Sequence, residues 1–352
     1  MPTPKVPGLD LDRLLPWLAA RTPIDSIDRA EVIAGGRSNL TYLLDTNDGP
    51  MILRRPPFGS VLPGAHDVVR EHRIVESLFG TGVPVAEPIG ACEDPKVIGA
   101  PFGVTRFVPG ATLRAPEDVG VLQPGAAQEV VDGFGRTLAR LHRVDPTISG
   151  LPAERGAGHV ARQLRVWTRQ LKAPPVRPLP MMDRLSAALG ASQPEQQRTS
   201  LVHGDYRLDN VRLGPEGEVR AVLDWELWSL GDPLVDLGVA LVYWLEEPWE
   251  LAPLGSSPTF SPHLGNRSQL LAAYQADAGI ELEPSRLWWY AAFGTWRFAS
   301  ILEGVYRRHL EGAYDDGGED DTDWRRFEYV VPALADQAGE LLRRGGWSVP
   351  RV

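Results

Sequence analysis

The pattern of apolar residues in this chain changes near residue 109, and that change limits the folds open to it. Before it, apolar residues lie in short runs, "AEVIA", "SNLTYLLD" and "MILRR", joined by "GGR" and "TNDGP". Gly-Gly and Asp-Gly supply the positive φ values of tight hairpin turns, so these runs predict an antiparallel meander. A helix is predicted over residues 66–79, then strands in "VPVAEPIGACE" and "PFGVTRFV". Pro109 and Gly110 in "FVPGATLR" break the pattern as a hinge. Beyond residue 125, Val130, Phe134, Leu138 and Leu141 recur at helical spacing, as do Leu164, Trp167 and Leu171. A short island of strands, "LVH", "NVRLG" and "VRAVLD", interrupts these helices. The expected organisation is a β-rich N-terminal lobe over 1–108 and a larger helical lobe over 109–352.

A length of 352 residues allows two separate cores. The net charge of −10 argues against nucleic acid as the main partner. Cys92 is the single cysteine, so no internal disulfide can form. The start, "MPTPKVPGLD", lacks the basic flank and apolar core of a signal peptide, and "LVDLGVALVYWL" is too short to cross a bilayer. These features predict a cytoplasmic protein without membrane partners; oligomeric state is not legible.

Polar chemistry collects at the ends of two strand-like runs. In "LVHGDYRLDN", His203, Asp205 and Asn210 have the H-x-D-x-x-x-x-N spacing of a kinase catalytic loop. Fourteen residues on, "AVLDWE" ends a second apolar run in Asp224. Phosphoryl transfer needs a base near the acceptor hydroxyl and hard oxygen ligands for Mg²⁺, and these residue types supply both. In the 66–79 helix, Val68, Glu71, Val75 and Leu78 share one face. A carboxylate in an apolar stripe needs a cation. Arg54 and Arg55 are the candidates, and strand alternation alone does not choose between them. The loop "AGGRSN" could cover phosphates with backbone amides at Gly36 and with donors from Ser38 and Asn39. The pattern G-x-x-x-x-G-K-[ST] is absent.

Taken together, "LRRPP", "REHRIVESL", "HGDYRLDN" and "LDWELWSLGDPLVDLG" resemble the aminoglycoside phosphotransferase and choline kinase family. The look is nearest to the phosphotransferase domains linked to some acyl-CoA dehydrogenases, and it covers roughly residues 28–245. The resemblance implies an α+β, protein-kinase-like two-lobe fold: a small antiparallel β lobe with one helix, and a larger, mostly helical lobe. It implies ATP and Mg²⁺ as cofactors and a hydroxylated small molecule as phosphate acceptor, such as a hydroxyacyl-CoA or an aminoglycoside-like compound.

By the same resemblance Asp205 is the catalytic base, and Asn210 and Asp224 hold the metal. Arg207 stands near the transferred phosphate, and Asp236 braces the loop through backbone hydrogen bonds. The family's position after Leu53 selects Arg54 as the phosphate-binding cation paired with Glu71, although most of the family has lysine there. "VTRFVPG", with Arg106 and Phe107, corresponds to the hinge that meets the adenine edge. Asp209 is expected to be solvated, and Trp289, Phe293 and Trp296 to pack in the helical core. The alternative is a nucleotide-binding pseudokinase without turnover, suggested by arginine in place of lysine.

Overall fold

The computed structural model describes residues 6–34, 39–58, 67–172, 176–246, 257–280, 282–312 and 324–349. The chain divides into two compact units, Met1–Gly110 with Arg220–Trp228, and Ala111–Val219 with Ser229–Val352.

The first unit is built on a five-stranded sheet. Its strands are β1 (Ile27–Ala34), β2 (Leu40–Thr46), β3 (Met51–Arg55), β4 (Pro88–Cys92) and β5 (Phe102–Arg106), in the order β1-β2-β3-β5-β4. Every pairing along the sheet is antiparallel. Alternation sorts the side chains by face. Tyr42, Leu44, Met51, Leu53, Phe102 and Val104 join Leu14 and Leu18 of helix α1 (Leu11–Ala19) in one core. Arg55 is on that buried side, where its guanidinium donates to the Gly8 carbonyl at 2.6 Å. Arg54 therefore points to the opposite face.

Helix α2 (Val68–Leu78), capped by the Asp67 carboxylate, packs on β4 and β5. It comes close at Gly103, where a Cβ would stand 3.1 Å from the ring of His72. Burial pushes the His72 imidazole down to about 4, so it packs there neutral. The returning segment Arg220–Trp228 joins this unit because α2 grips it. The Arg70 guanidinium lies 4.2 Å from the centre of the Trp228 ring, and Trp228 Nε1 donates to the Arg70 carbonyl at 3.3 Å.

In the second unit, strand β6 (Ser200–Val202) pairs antiparallel with β9 (Ser229–Gly231). Between them in sequence come β7 (Val211–Leu213) of this unit and β8 (Val219–Val222), which from Arg220 on belongs to the first unit. The helices are α3 (Ala127–Arg143), α4 (His159–Lys172), α5 (Pro180–Ala191), α6 (Leu234–Tyr243), α7 (Arg267–Ala278), α8 (Pro284–Leu310) and α9 (Phe327–Arg344). α8 packs on α4, α6 and α9. At its crossing with α6, a Cβ on Gly238 would stand 2.4 Å from the Tyr290 carbonyl oxygen, so glycine is what allows this approach. Trp289, Phe293 and Trp296 are fully buried on α8, with the first two rings stacked at 5.6 Å. Among the described residues, no helix is long and apolar enough to cross a membrane.

Candidate active site

Each unit contributes one cluster of charged groups. In the first, the Arg54 Nε lies 3.2 Å from Glu71 Oε1 and its Nη2 lies 3.0 Å from Asp224 Oδ1. Nε is close to the carboxylate but not aligned for a hydrogen bond, so this contact is an ion pair only. Glu71 also accepts a long hydrogen bond, 3.4 Å, from Asn39 Nδ2. Burial drives the Glu71 carboxyl up to about 7, against the pull of Arg54 and with help from the charges of Asp224 and Glu226. Burial lowers the Arg54 pKa, but Glu71 and Asp224 together raise it further, so its charge is permanent.

Asp224 follows β8 with φ 60° and ψ 64°, the only positive φ outside glycine among the described residues. Left-handed backbone is unfavourable for a residue with a Cβ, and aspartate tolerates it better than most. Such conformations concentrate where a side chain must be aimed.

The second cluster is one loop. After β6, the Asp205 N–H donates to His203 Nδ1 at 3.2 Å. Asp205 Oδ2 accepts from Arg207 Nε at 3.1 Å and from Asn210 Nδ2 at 3.0 Å, and that amide also reaches the Asp205 carbonyl at 2.9 Å. Both side-chain bonds fall on Oδ2 and leave Oδ1 without one. Asn210 commits its nitrogen in the same way and keeps its carbonyl oxygen.

Beneath the loop, Asp236 in the first turn of α6 is fully buried. Its carboxylate accepts the His203 N–H at 2.6 Å and the Gly204 N–H at 2.7 Å. His142 Nε2 completes the set at 3.3 Å, and His142 Nδ1 meets the Tyr274 hydroxyl at 2.9 Å. With Nε2–H donating to Asp236, Nδ1 must accept from Tyr274, which is the neutral tautomer. Burial lowers the His142 pKa and keeps it in that form. Against burial, the hydrogen bonds from His142 and Gly204 hold the Asp236 carboxyl below its usual value.

The site residues expected from sequence divide accordingly. Arg54, Glu71, Asn39 and Asp224 meet in the first unit; Asp205, Arg207 and Asn210 meet in the second. Arg106 lies apart from its cluster, with its guanidinium bonded to the Asp48 carbonyl at 2.7 Å and to the Asp48 carboxylate. The Phe107 N–H donates to the Pro50 carbonyl at 3.0 Å. Gly36 and Ser38 lie outside the described residues. Asp209, expected to be solvated, is half-buried: it pairs with Arg207 at 2.8 Å, and partial burial raises its pKa. Sequence reasoning passed over Arg70, which anchors the Asp224 segment, and Arg297. The signal for Arg297 was present, a lone cation in the apolar run "AAFGTWRFASIL".

The family model of the phosphotransferase enzyme family matches residues 29–288 of the chain. Acyl-CoA dehydrogenase family member 10 of Mus musculus is 38% identical over 282 residues, which are 79% of this chain and 26% of that protein. The chain thus spans about a quarter of that relative's length. A Ralstonia eutropha protein provisionally named an aminoglycoside phosphotransferase superposes with a TM-score of 0.77 at 29% identity, covering 96% of this chain and 99% of the other. The GDP and kanamycin complex of an aminoglycoside 2″-phosphotransferase gives a TM-score of 0.60 at 18% identity, covering 92% and 97% of the two chains, and shows the fold alone.

Proposed function

The chain belongs to the phosphotransferase enzyme family, and from that premise we propose a Mg²⁺-dependent small-molecule kinase that moves the γ-phosphoryl group of ATP to a hydroxyl. The observation that carries this reading is the Asp205 carboxylate, pinned through one oxygen by Arg207 and Asn210 on a loop whose backbone Asp236 holds. A base must be fixed before it can help, and this one is. Asp205 Oδ1 would take the proton of the acceptor hydroxyl as it attacks. Arg207 would neutralise charge developing on the transferred group. Arg54 would bind the α- and β-phosphates, and Glu71 keeps it extended from β3.

Asn210 and Asp224 fit a magnesium ion by donor chemistry, since each offers a hard oxygen: the carboxamide oxygen left by the Nδ2 bonds, and a carboxylate. When bound, Mg²⁺ would offset phosphate charge. Among the described residues no group of three or more His, Cys, Asp or Glu makes a metal cage by itself. Magnesium sites that share their ligands with nucleotide phosphates need none.

The acceptor is proposed to be a hydroxylated metabolite, with hydroxyacyl-CoA compounds favoured over aminoglycosides. The relative whose name mentions acyl-CoA supports that choice, and the protein is proposed to act in the cytoplasm. No dehydrogenase activity is proposed, because the chain covers only 26% of that relative. The test is ATP consumption with Mg²⁺ across hydroxyacyl-CoAs, amino alcohols and aminoglycosides. Asp205→Asn should lower turnover by about 10²- to 10⁴-fold and leave ATP binding within a few-fold. ATP binding without turnover on any acceptor, unchanged by Asp205→Asn, would make the protein a pseudokinase.

A further inference from the structure

Arg297, on α8 of the second unit, is only 6% exposed, and its Nε has no hydrogen-bond partner. Among the described residues it forms no ion pair. Its one close neighbour of note is the Trp167 ring on α4, 5.6 Å from the guanidinium carbon. Burial lowers its pKa, against the charges of Asp205, then Asp236 and Tyr243. Among the described residues neither carboxylate is ion-paired with it. Asp236 is saturated by the His203 and Gly204 amides and His142, and Asp205 is held by Arg207 and Asn210.

His159 of α4 feels the Arg297 charge and is itself buried with an unpartnered Nδ1. Burial, then the charge of Arg162, pushes it down to about 4, so it is neutral and offers no compensation. A buried guanidinium without a counter-ion is unfavourable, and a hydrophobic residue of similar volume would pack there at lower free-energy cost. The other buried arginine among the described residues, Arg55, is bonded to carbonyl oxygens, and the half-buried Arg54 faces two carboxylates.

We propose that Arg297 binds an anionic group of the phosphate acceptor, placing the acceptor's hydroxyl toward Asp205, so that the substrate is a hydroxylated carboxylate or phosphate-bearing compound and not a polycation. This rests on the kinase reading for the identity of the second ligand, while the anion site itself stands on the burial and the missing partner. A planar guanidinium backed by an indole suits a carboxylate or phosphate, which it can meet with two parallel N–H donors. An aminoglycoside would bring further positive charge against an uncompensated cation.

The probes are 3-hydroxybutyrate, its CoA thioester, inorganic phosphate, neutral 3-hydroxybutyramide and kanamycin, each titrated calorimetrically and each assayed as acceptor with Mg²⁺ and ATP. The wild-type protein should bind at least one anionic probe. Arg297→Met should weaken that binding roughly 10- to 100-fold, raise KM more than it lowers kcat, and leave the amide unaffected. Arg297→Lys should restore part of the affinity. Retained ATP binding and melting temperature in both variants exclude misfolding as the cause. Whether the free acid or the thioester binds tells which end of the acceptor carries the recognised charge.

The proposal is overturned if no anion binds the wild type, if Arg297→Met binds anions as well as wild type does, or if kanamycin is the preferred acceptor. It is also overturned if the variant lowers kcat equally for anionic and neutral acceptors, since that would make Arg297 a positioning residue acting through Asp205. Failure of the kinase reading looks different: no acceptor is turned over and Asp205→Asn changes nothing, while Arg297-dependent anion binding is still read by calorimetry.

Discussion

Glu71 in the first unit and Asp236 in the second are both buried carboxylates, 6% and 0% exposed, yet their surroundings drive them in opposite directions. Glu71 has one guanidinium at ion-pair distance, a long amide contact and two other carboxylates whose charge it feels. Its carboxyl rises to about 7. Among the described residues Asp236 is ion-paired with no arginine or lysine but receives two short backbone N–H bonds and an imidazole N–H, and its carboxyl falls. Several fixed donors stabilise a buried anion better than one cation shared with a competing carboxylate. The two sites are built for different tasks. The Asp236 site is a rigid foundation for the loop that carries Asp205, whereas Arg54 and Glu71 form a charge pair whose balance an incoming phosphate would shift under the proposed kinase function.

The comparison breaks most visibly at Asp236. Asp236→Ala removes the acceptor of three donors at once and leaves them buried. It should destabilise the protein by about 3–5 kcal/mol, read as a lower urea midpoint, with turnover lost in proportion to the disordered loop. A variant with normal stability and activity would show that the loop holds itself.

The Glu71 effect is smaller and depends on pH. Its folded pKa, about 7, lies above the unfolded value of 4.5, so its contribution is fully present below pH 4.5 and declines as pH rises through 7. For Asp236 the folded pKa is below 3.8, so its contribution is present above that pH and is lost on acidification. Glu71→Gln should therefore match wild-type stability near pH 4 and gain on it by about 1 kcal/mol or more towards pH 8. Parallel stability curves for the two proteins from pH 5 to 8 would mean that Arg54 keeps Glu71 ionised throughout.

Arg54→Lys should do least. It keeps a cation facing Glu71 and Asp224 but gives up the fork that lets Nε and Nη2 serve them separately. A few-fold change in ATP affinity, about 1 kcal/mol or less, is expected by calorimetry. A hundredfold loss would show that the planar geometry is required.

The sequence by itself determined whatever depends on neighbours close along the chain. The sheet strands, the α2 stripe and the Asp205–Asn210 pair were legible because period-two alternation, 3.6-residue spacing and a five-residue loop are local geometry. The bracing role of Asp236 was legible only through resemblance, since 33 residues separate it from His203. Tertiary structure decided the rest. Alternation put Arg54 and Arg55 on opposite faces, but only the packing of α1 on one face and α2 on the other assigned Arg54 to Glu71. The left-handed backbone of Asp224, the pairing of Asp209 with Arg207 and the missing partner of Arg297 leave no periodic trace. Each depends on how much water and how many distant polar groups surround one atom, and folding sets that environment after spacing has set the elements.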